Sequence, residues 1–125
     1  MFGKDYYLYW SLNTERKAAG VALFVRKSVG KPKVFFGFNP ESGKLTSSHH
    51  PQGRVIAAKF PSFVVLNTYV PNFGRAEARR SWDVDMLKWW QRRKQHAELP
   101  TVWTGDLNCT LGDADVTDPV FFRTS

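Results

Sequence analysis

Four consecutive residues, Gly105-Asp106-Leu107-Asn108, have the types and spacing to act on a phosphate, and they follow a short β-rich run, Thr101–Thr104. A carboxylate and a carboxamide two residues apart at a strand end project to the same side. There they can hold a water molecule and a phosphate oxygen together, with Asp106 as general base or metal ligand and Asn108 as donor to a developing negative oxygen. A Gly-Asp turn followed by Asn is also ordinary loop chemistry, so the tetrapeptide alone decides nothing. Its context is Asn67-Thr68-Tyr69-Val70-Pro71-Asn72. A tyrosine between Thr68 and Val70 is commonly half-buried packing, and Pro-Asn is commonly a turn. Neighbouring strand ends converge, however, and would bring Tyr69 and Asn72 to the crevice of Asp106 and Asn108, the usual place for sites in open α/β sheets. Cys109 reads as a small buried filler, since no histidine base lies near it in sequence.

The elements that must position these residues are legible in outline. Val21–Val25 and Val34–Phe38 read as strands separated by Ser28-Val29-Gly30-Lys31-Pro32, and Asn39 to Gln52, which holds His49 and His50, reads as a loop. Arg54–Phe60 and Phe63–Val70 are β-rich runs joined by Pro61-Ser62, which predicts a tight hairpin. Both are largely apolar, so part of that sheet should be covered on both faces. Arg75 to Ala97 has helix composition. Trp82, Met86, Trp89 and Trp90 form one apolar stripe opposite Arg79, Arg92 and Lys94. A tryptophan stripe needs a sheet to bury it, which predicts an α/β layered fold. The tail from Asp113 to Ser125 has no clear period.

Charge is distributed unevenly. Residues 1–60 carry ten Lys/Arg against Asp5, Glu15 and Glu41, whereas residues 61–125 balance eight against eight. Within that neutral half, Gly105 to Pro119 holds Asp106, Asp113, Asp115 and Asp118 without a cation. A basic body with an acidic pocket suits a protein that binds a polyanion and holds a divalent metal; a solvated basic surface is the plainer alternative. No apolar run approaches the ~20 residues of a membrane span, and no signal peptide is visible at the N-terminus. With Cys109 the only cysteine, no internal disulfide forms and a reducing compartment is the simplest setting.

The residues together resemble the exonuclease III type of apurinic/apyrimidinic endonucleases, of the endonuclease/exonuclease/phosphatase superfamily. Asn67 through Asn72 with Phe73-Gly74-Arg75 is similar to that family's YVPN-x-GR segment. Arg79-Arg80 followed by Trp82-Asp83 resembles its R-x-x-WD helix, and Gly105 to Asn108 its GDLN. The likeness continues in order at Gly20-Val21-Ala22-Leu23, Gly53-Arg54-Val55-Ile56 and Asp115-Val116 with Pro119 beyond. Inositol polyphosphate phosphatases and sphingomyelinases share GDLN but lack Tyr-Val-Pro-Asn.

The resemblance implies a four-layer α/β sandwich, with Mg²⁺ (or Mn²⁺) and in-line attack of water on a DNA phosphodiester at abasic sites. Asp106 would orient or deprotonate the water. Asn108 would hold that water or the transition-state oxygen, and both would lie at the metal. Tyr69 would contact the scissile phosphate as phenol or phenolate. Asn72 would support the constellation, and Arg75 and Arg54 would reach DNA. The implied partner is DNA, duplex with abasic sites above all, with no membrane and no obligate protein partner. The implied setting is intracellular: nucleus or a DNA-containing organelle in a eukaryote, cytoplasm otherwise. The family's WN-x-N/DG segment, a metal-binding Glu and a terminal SDHxP have no counterpart here; Ala18-Ala19 stand where a tyrosine is common, and Cys109-Thr110-Leu111 where a histidine is. Residues 1–125 are therefore expected to be the central part of one such domain, incomplete in this chain, either a fragment or a degenerate copy. The second implied function is a non-catalytic nucleic-acid-binding remnant. Incompleteness also predicts that the strands Arg54–Phe60 and Phe63–Val70 are left partly uncovered.

Overall fold

The computed structural model describes residues 2–14, 17–96 and 99–120. Among these residues, eight strands and one long helix follow a short N-terminal turn of helix, α1 (Phe2–Asp5). The centre is a four-stranded sheet of β3 (Lys33–Phe35), β6 (Val55–Lys59), β7 (Val64–Tyr69) and β8 (Thr101–Asp106), in that order. β6 and β7 form the expected antiparallel hairpin, closed by Phe60 N–H donating to the Phe63 carbonyl at 2.9 Å. β8 joins β7 in parallel, and the connection between them is the helix α2 (Ala76–Gln95). That is the βαβ arrangement a parallel pair requires.

Side-chain alternation assigns the two faces. Val55, Ala57, Val64 and Leu66 point to one side and pack with Trp82, Met86 and Trp89 of α2. The indole of fully buried Trp89 donates to the Lys44 carbonyl at 3.3 Å, so the largest core side chain also satisfies its polar atom. Ala58, Phe60 and Val65 point the other way, against Val25, Tyr7, Tyr9 and Leu23 of a second, two-stranded sheet. That sheet pairs β1 (Tyr6–Leu12) antiparallel with β2 (Gly20–Arg26). The described residues thus form helix, sheet and sheet, three layers of an α/β sandwich.

Val34–Phe38 is not one strand. The chain breaks at Phe36, whose N–H donates to the Thr46 carbonyl, and residues beyond it leave the central sheet. They form β4 (Gly37–Asn39), paired with β5 (Lys44–Thr46), inside the stretch expected to be all loop. The helix begins one residue later than Arg75, after a 3-10 turn over Phe73–Arg75, and its expected end at Ala97 lies outside the described residues, as do Glu15 and residues 121–125. Its His96 N–H closes back onto the Arg92 and Arg93 carbonyls, and the cationic last turn suits the helix dipole.

The expectation of partly uncovered central strands is met on β7, where Val65, Asn67 and Tyr69 are only half-buried, and not on β6. Residues 55–58 of β6 are fully buried because both neighbouring layers are present on that strand. Exposed apolar side chains include Leu8, Trp10, Leu12 and Phe24 on the outer face of the β1–β2 pair, and Val102 on β8.

Candidate active site

The two motif strands end side by side. Tyr69 and Asp106 are register partners of the parallel β7–β8 pair, and the Val70 N–H donates to the Asp106 carbonyl at 2.9 Å. This register needs Gly105, which sits at φ +113°, and any Cβ there would collide with the Thr68 carbonyl oxygen. β8 therefore runs two residues further than Thr104, through Asp106 itself.

Beyond Asp106 the chain turns back rather than continuing as strand. Asn108 takes φ +45°, a region asparagine tolerates, and its N–H donates to Asp106 Oδ1 at 3.0 Å. Its side-chain amide donates to the Val70 carbonyl at 2.8 Å. Asp106 and Asn108 are thus brought together by an Asx-type turn tied to the end of β7, not by the same-side alternation of a strand. One of the two Asn108 amide hydrogens is committed to Val70; the second and the Oδ1 atom have no partner among the described residues.

Arg79 locks this turn in place. From the first half of α2 its Nη1 donates to the carbonyls of Asn108 at 2.8 Å, Pro71 at 3.3 Å and Leu107 at 3.4 Å, while Nε sits 2.9 Å from both carboxylate oxygens of Asp83. One guanidinium so joins the turn after β7 to the turn after β8. Sequence reasoning set Arg79 on the solvent face of the helix; the signal that marked it otherwise was its place in the R-x-x-WD motif. Arg93 does similar work at the other end of β8, donating to the Leu99 carbonyl and Thr101 Oγ1.

Arg54 is buried, at 6% exposure, and its contacts are internal. Nη1 donates to the Tyr69 carbonyl at 2.8 Å, Nε to Gln52 Oε1 at 2.7 Å, and the guanidinium lies 4.8 Å from the centre of the Tyr69 ring. Burial and the charge of Arg75 lower its pKa, while Tyr69 acts in the opposite sense. Arg54, Tyr69, Asn72 and Arg75 line one cavity of about 230 Å³, closed on its far side by Asn13, Ala18 and Ala19. Asp106 and Asn108 line a separate, shallower depression running to Leu111 and Asp115. The sequence placed Tyr69, Asn72, Asp106 and Asn108 in one crevice. Tyr69 and Asn72 line the first hollow and Asp106 and Asn108 the second, with the main chains of Tyr69 and Asp106 paired between them.

Mg²⁺ or Mn²⁺ prefers hard oxygen ligands, which Asp106 and Asn108 supply in kind but not in number. Asp115 does line the depression of Asp106, but its carboxylate accepts from the N–H groups of Leu111 and Gly112 in its own loop. No group of three acidic, histidine or cysteine side chains suited to a metal occurs among the described residues. These residues alone do not make a complete metal site. Cys109 is exposed, against the expectation of a buried filler, because it follows the turn on the open side of β8.

Searched against models of known protein families, the chain matches none. A DNA-(apurinic or apyrimidinic site) endonuclease of Arabidopsis thaliana is 39% identical over 97% of this chain and 33% of its own length. Another from Plasmodium falciparum is 35% identical over 96% of this chain and 20% of its own length. The DNA repair nuclease APEX1 of Danio rerio is 31% identical over 89% and 34% respectively. Homologues of this chain are apurinic/apyrimidinic endonucleases. Their likeness covers this chain almost from end to end, while the chain spans about a third or less of these relatives. Two solved structures from Neisseria agree: the 3' phosphatase NExo bound to product DNA hairpin, and the 3'-5' exonuclease NExo of Neisseria meningitidis. Each superposes with a TM-score of 0.71 at 25% identity, over 96% of this chain and 44% of theirs. The fold is that of the endonuclease/exonuclease/phosphatase type, present in part.

Proposed function

We propose that this chain is the central part of a DNA repair endonuclease that hydrolyses the phosphodiester at abasic sites. The observation that carries the reading is the Tyr69–Asp106 register with Asn108 tied back onto Val70. It gathers a phenol, a carboxylate and a carboxamide at the ends of two parallel strands. Asp106 takes the proton of a water attacking phosphorus as the bond to the leaving oxygen breaks on the opposite side. Tyr69 and Asn108 stabilise charge on the phosphoryl oxygens, and Asn72, Arg75 and Arg54 set the strand's position. Positioning and charge neutralisation are what phosphoryl transfer chiefly requires.

Mg²⁺ (or Mn²⁺) belongs to this proposal as the supplier of further charge neutralisation, held with ligands additional to Asp106 and Asn108. DNA is the proposed partner, with abasic duplex as the preferred substrate and 3'-5' exonuclease action as a secondary activity. No helix of the described residues is long and apolar enough to cross a membrane. A DNA repair nuclease works where DNA is, so we place it inside the cell, in a nucleus or DNA-containing organelle or in a bacterial cytoplasm.

Grafting these 125 residues in place of the matching segment of the Arabidopsis relative tests the reading. The chimaera should cut a duplex carrying one abasic analogue in the presence of Mg²⁺ and leave an intact duplex largely uncut. Equal cutting of both duplexes would contradict it.

A second reading is a nucleic-acid-binding remnant without catalysis. What favours it is the cavity where Arg54 and Arg75 stand together with no carboxylate partner among the described residues, beside an incomplete metal site.

A further inference from the structure

The cavity beside Tyr69 depends on a residue that no motif marks. Gln52 lies in the tight turn before β6, where the Gly53 N–H donates to the His50 carbonyl at 2.8 Å and the Gln52 N–H to His50 Nδ1 at 3.2 Å. Gly53 has φ +63° and abuts the main chain of Leu12 and Asn13 so closely that no side chain fits. The turn is thus pressed against the end of β1, and Gln52 is delivered to the rim of the cavity with its Oε1 atom 2.7 Å from Arg54 Nε.

We propose that Gln52 is a positioning residue. It fixes the Arg54 guanidinium, which in turn holds Tyr69 by its carbonyl and ring face, and its neutrality reserves the guanidinium's charge for a phosphate of the DNA strand. The second clause rests on the function proposed above; the first does not.

The geometry supports both halves. A guanidinium presents five N–H donors in a rigid fork. Gln52 and the Tyr69 carbonyl take Nε and Nη1, which fixes the plane of the fork. Nη2 has no partner among the described residues, and Arg54 lines the cavity. Arg75 lines it too, and its charge disfavours the protonated Arg54. Two cations held near each other without a carboxylate attract an anion strongly. A glutamate at position 52 would accept the same Nε–H bond but would neutralise the charge. Glutamine keeps the orientation and leaves the charge uncompensated.

The test uses the whole chain and two variants, Gln52→Ala and Gln52→Glu. Hydrogen exchange of the Arg54 Nε–H by ¹⁵N NMR reads the positioning without any ligand. It should be protected in the wild type and in Gln52→Glu, and exchange at least about tenfold faster in Gln52→Ala, with the Tyr69 ring signals displaced. Binding of a 12-base-pair duplex reads the charge. Gln52→Glu should bind about tenfold more weakly and lose close to one phosphate contact, roughly 0.9 in the slope of log affinity against log salt. Unchanged Arg54 exchange in Gln52→Ala would overturn the positioning role. Wild-type affinity in Gln52→Glu would overturn the charge role. If the wild type fails to bind the duplex at all, the proposed function and the charge role fall together, while the exchange measurement still decides the positioning role.

Discussion

Arg79 and Asn108 meet through a 2.8 Å hydrogen bond from guanidinium to main-chain carbonyl, 29 residues apart in sequence. That bond, with those to Pro71 and Leu107, makes the helix the brace for both turns that carry the candidate chemistry. A loop held by one side chain from a helix packed on the sheet is a more precise platform than a free loop.

Removing the brace should therefore cost more than removing its salt bridge. Arg79→Ala is expected to destabilise the fold by about 1.5–3 kcal/mol, since it strips charged hydrogen bonds from three carbonyls. Asp83→Asn should cost below ~1 kcal/mol, because Asp83 is half exposed and exposed pairs contribute little. Chemical denaturation of both variants checks the order; equal losses would show that the carbonyl bonds add nothing.

Gly105→Ala should be among the most damaging small substitutions in the chain. It introduces a Cβ against the Thr68 carbonyl at a φ of +113°. The β7–β8 register would have to slip or splay, at a cost of at least ~2 kcal/mol. Gly112→Ala, with nothing near the added carbon, is the control and should be close to neutral. Comparable midpoints for the two variants would refute the close-approach argument.

How far the sequence was legible follows the range of the interactions. The periodic Trp82, Met86 and Trp89 announced the helix and the face it buries, and the Pro61-Ser62 spacing announced the hairpin, because both are local signals. β5 was missed because Lys44-Leu45-Thr46 lies among turn residues and becomes a strand only by pairing with β4. Arg79 was misread for the same kind of reason: its three carbonyl partners come from two turns that the sequence does not show to be adjacent. The types at the candidate site were readable, while its division into two hollows was not, since that depends on the Asn108 turn folding back onto Val70.

Histidine chemistry gives a pH prediction. Burial, then the charge of Arg54, lowers the pKa of His50 from 6.5 to about 4. Its ring packs edge-on to Trp82, and Nδ1 accepts the Gln52 N–H, a bond that protonation abolishes. The unfolded chain takes up a proton near pH 6.5 while the folded chain does not until about pH 4. Stability from this group is thus intact above pH 6.5, falls as the pH drops toward 4, and levels off below that. The loss should be on the order of 2 kcal/mol after allowance for solvent screening. Denaturation midpoints at pH 7, 5.5 and 4.5 for the wild type and His50→Asn check it. A slope equally steep in the variant would assign the effect to other groups.

The 125 residues by themselves should cleave slowly at best, because the described residues contain no cluster of three metal ligands. With Mg²⁺ and an abasic duplex, turnover is expected well below ~1 s⁻¹, the low end of ordinary enzymes. A rate above that would mean that two oxygen donors suffice.

The most direct test of the candidate site is kinetic, in the chimaera that carries this segment within the Arabidopsis relative. Single-turnover cleavage of the abasic duplex should fall about 10²–10⁴-fold in Asp106→Asn, which removes the proton acceptor. It should fall by about 10²–10³-fold in Asn108→Ala, which removes a donor to the phosphoryl oxygen. Duplex affinity should stay within about threefold of the unsubstituted chimaera, since neither residue is assigned to strand binding. Cleavage within a factor of about two of the unsubstituted chimaera in Asp106→Asn would mean that the chemistry is not done at the end of β8.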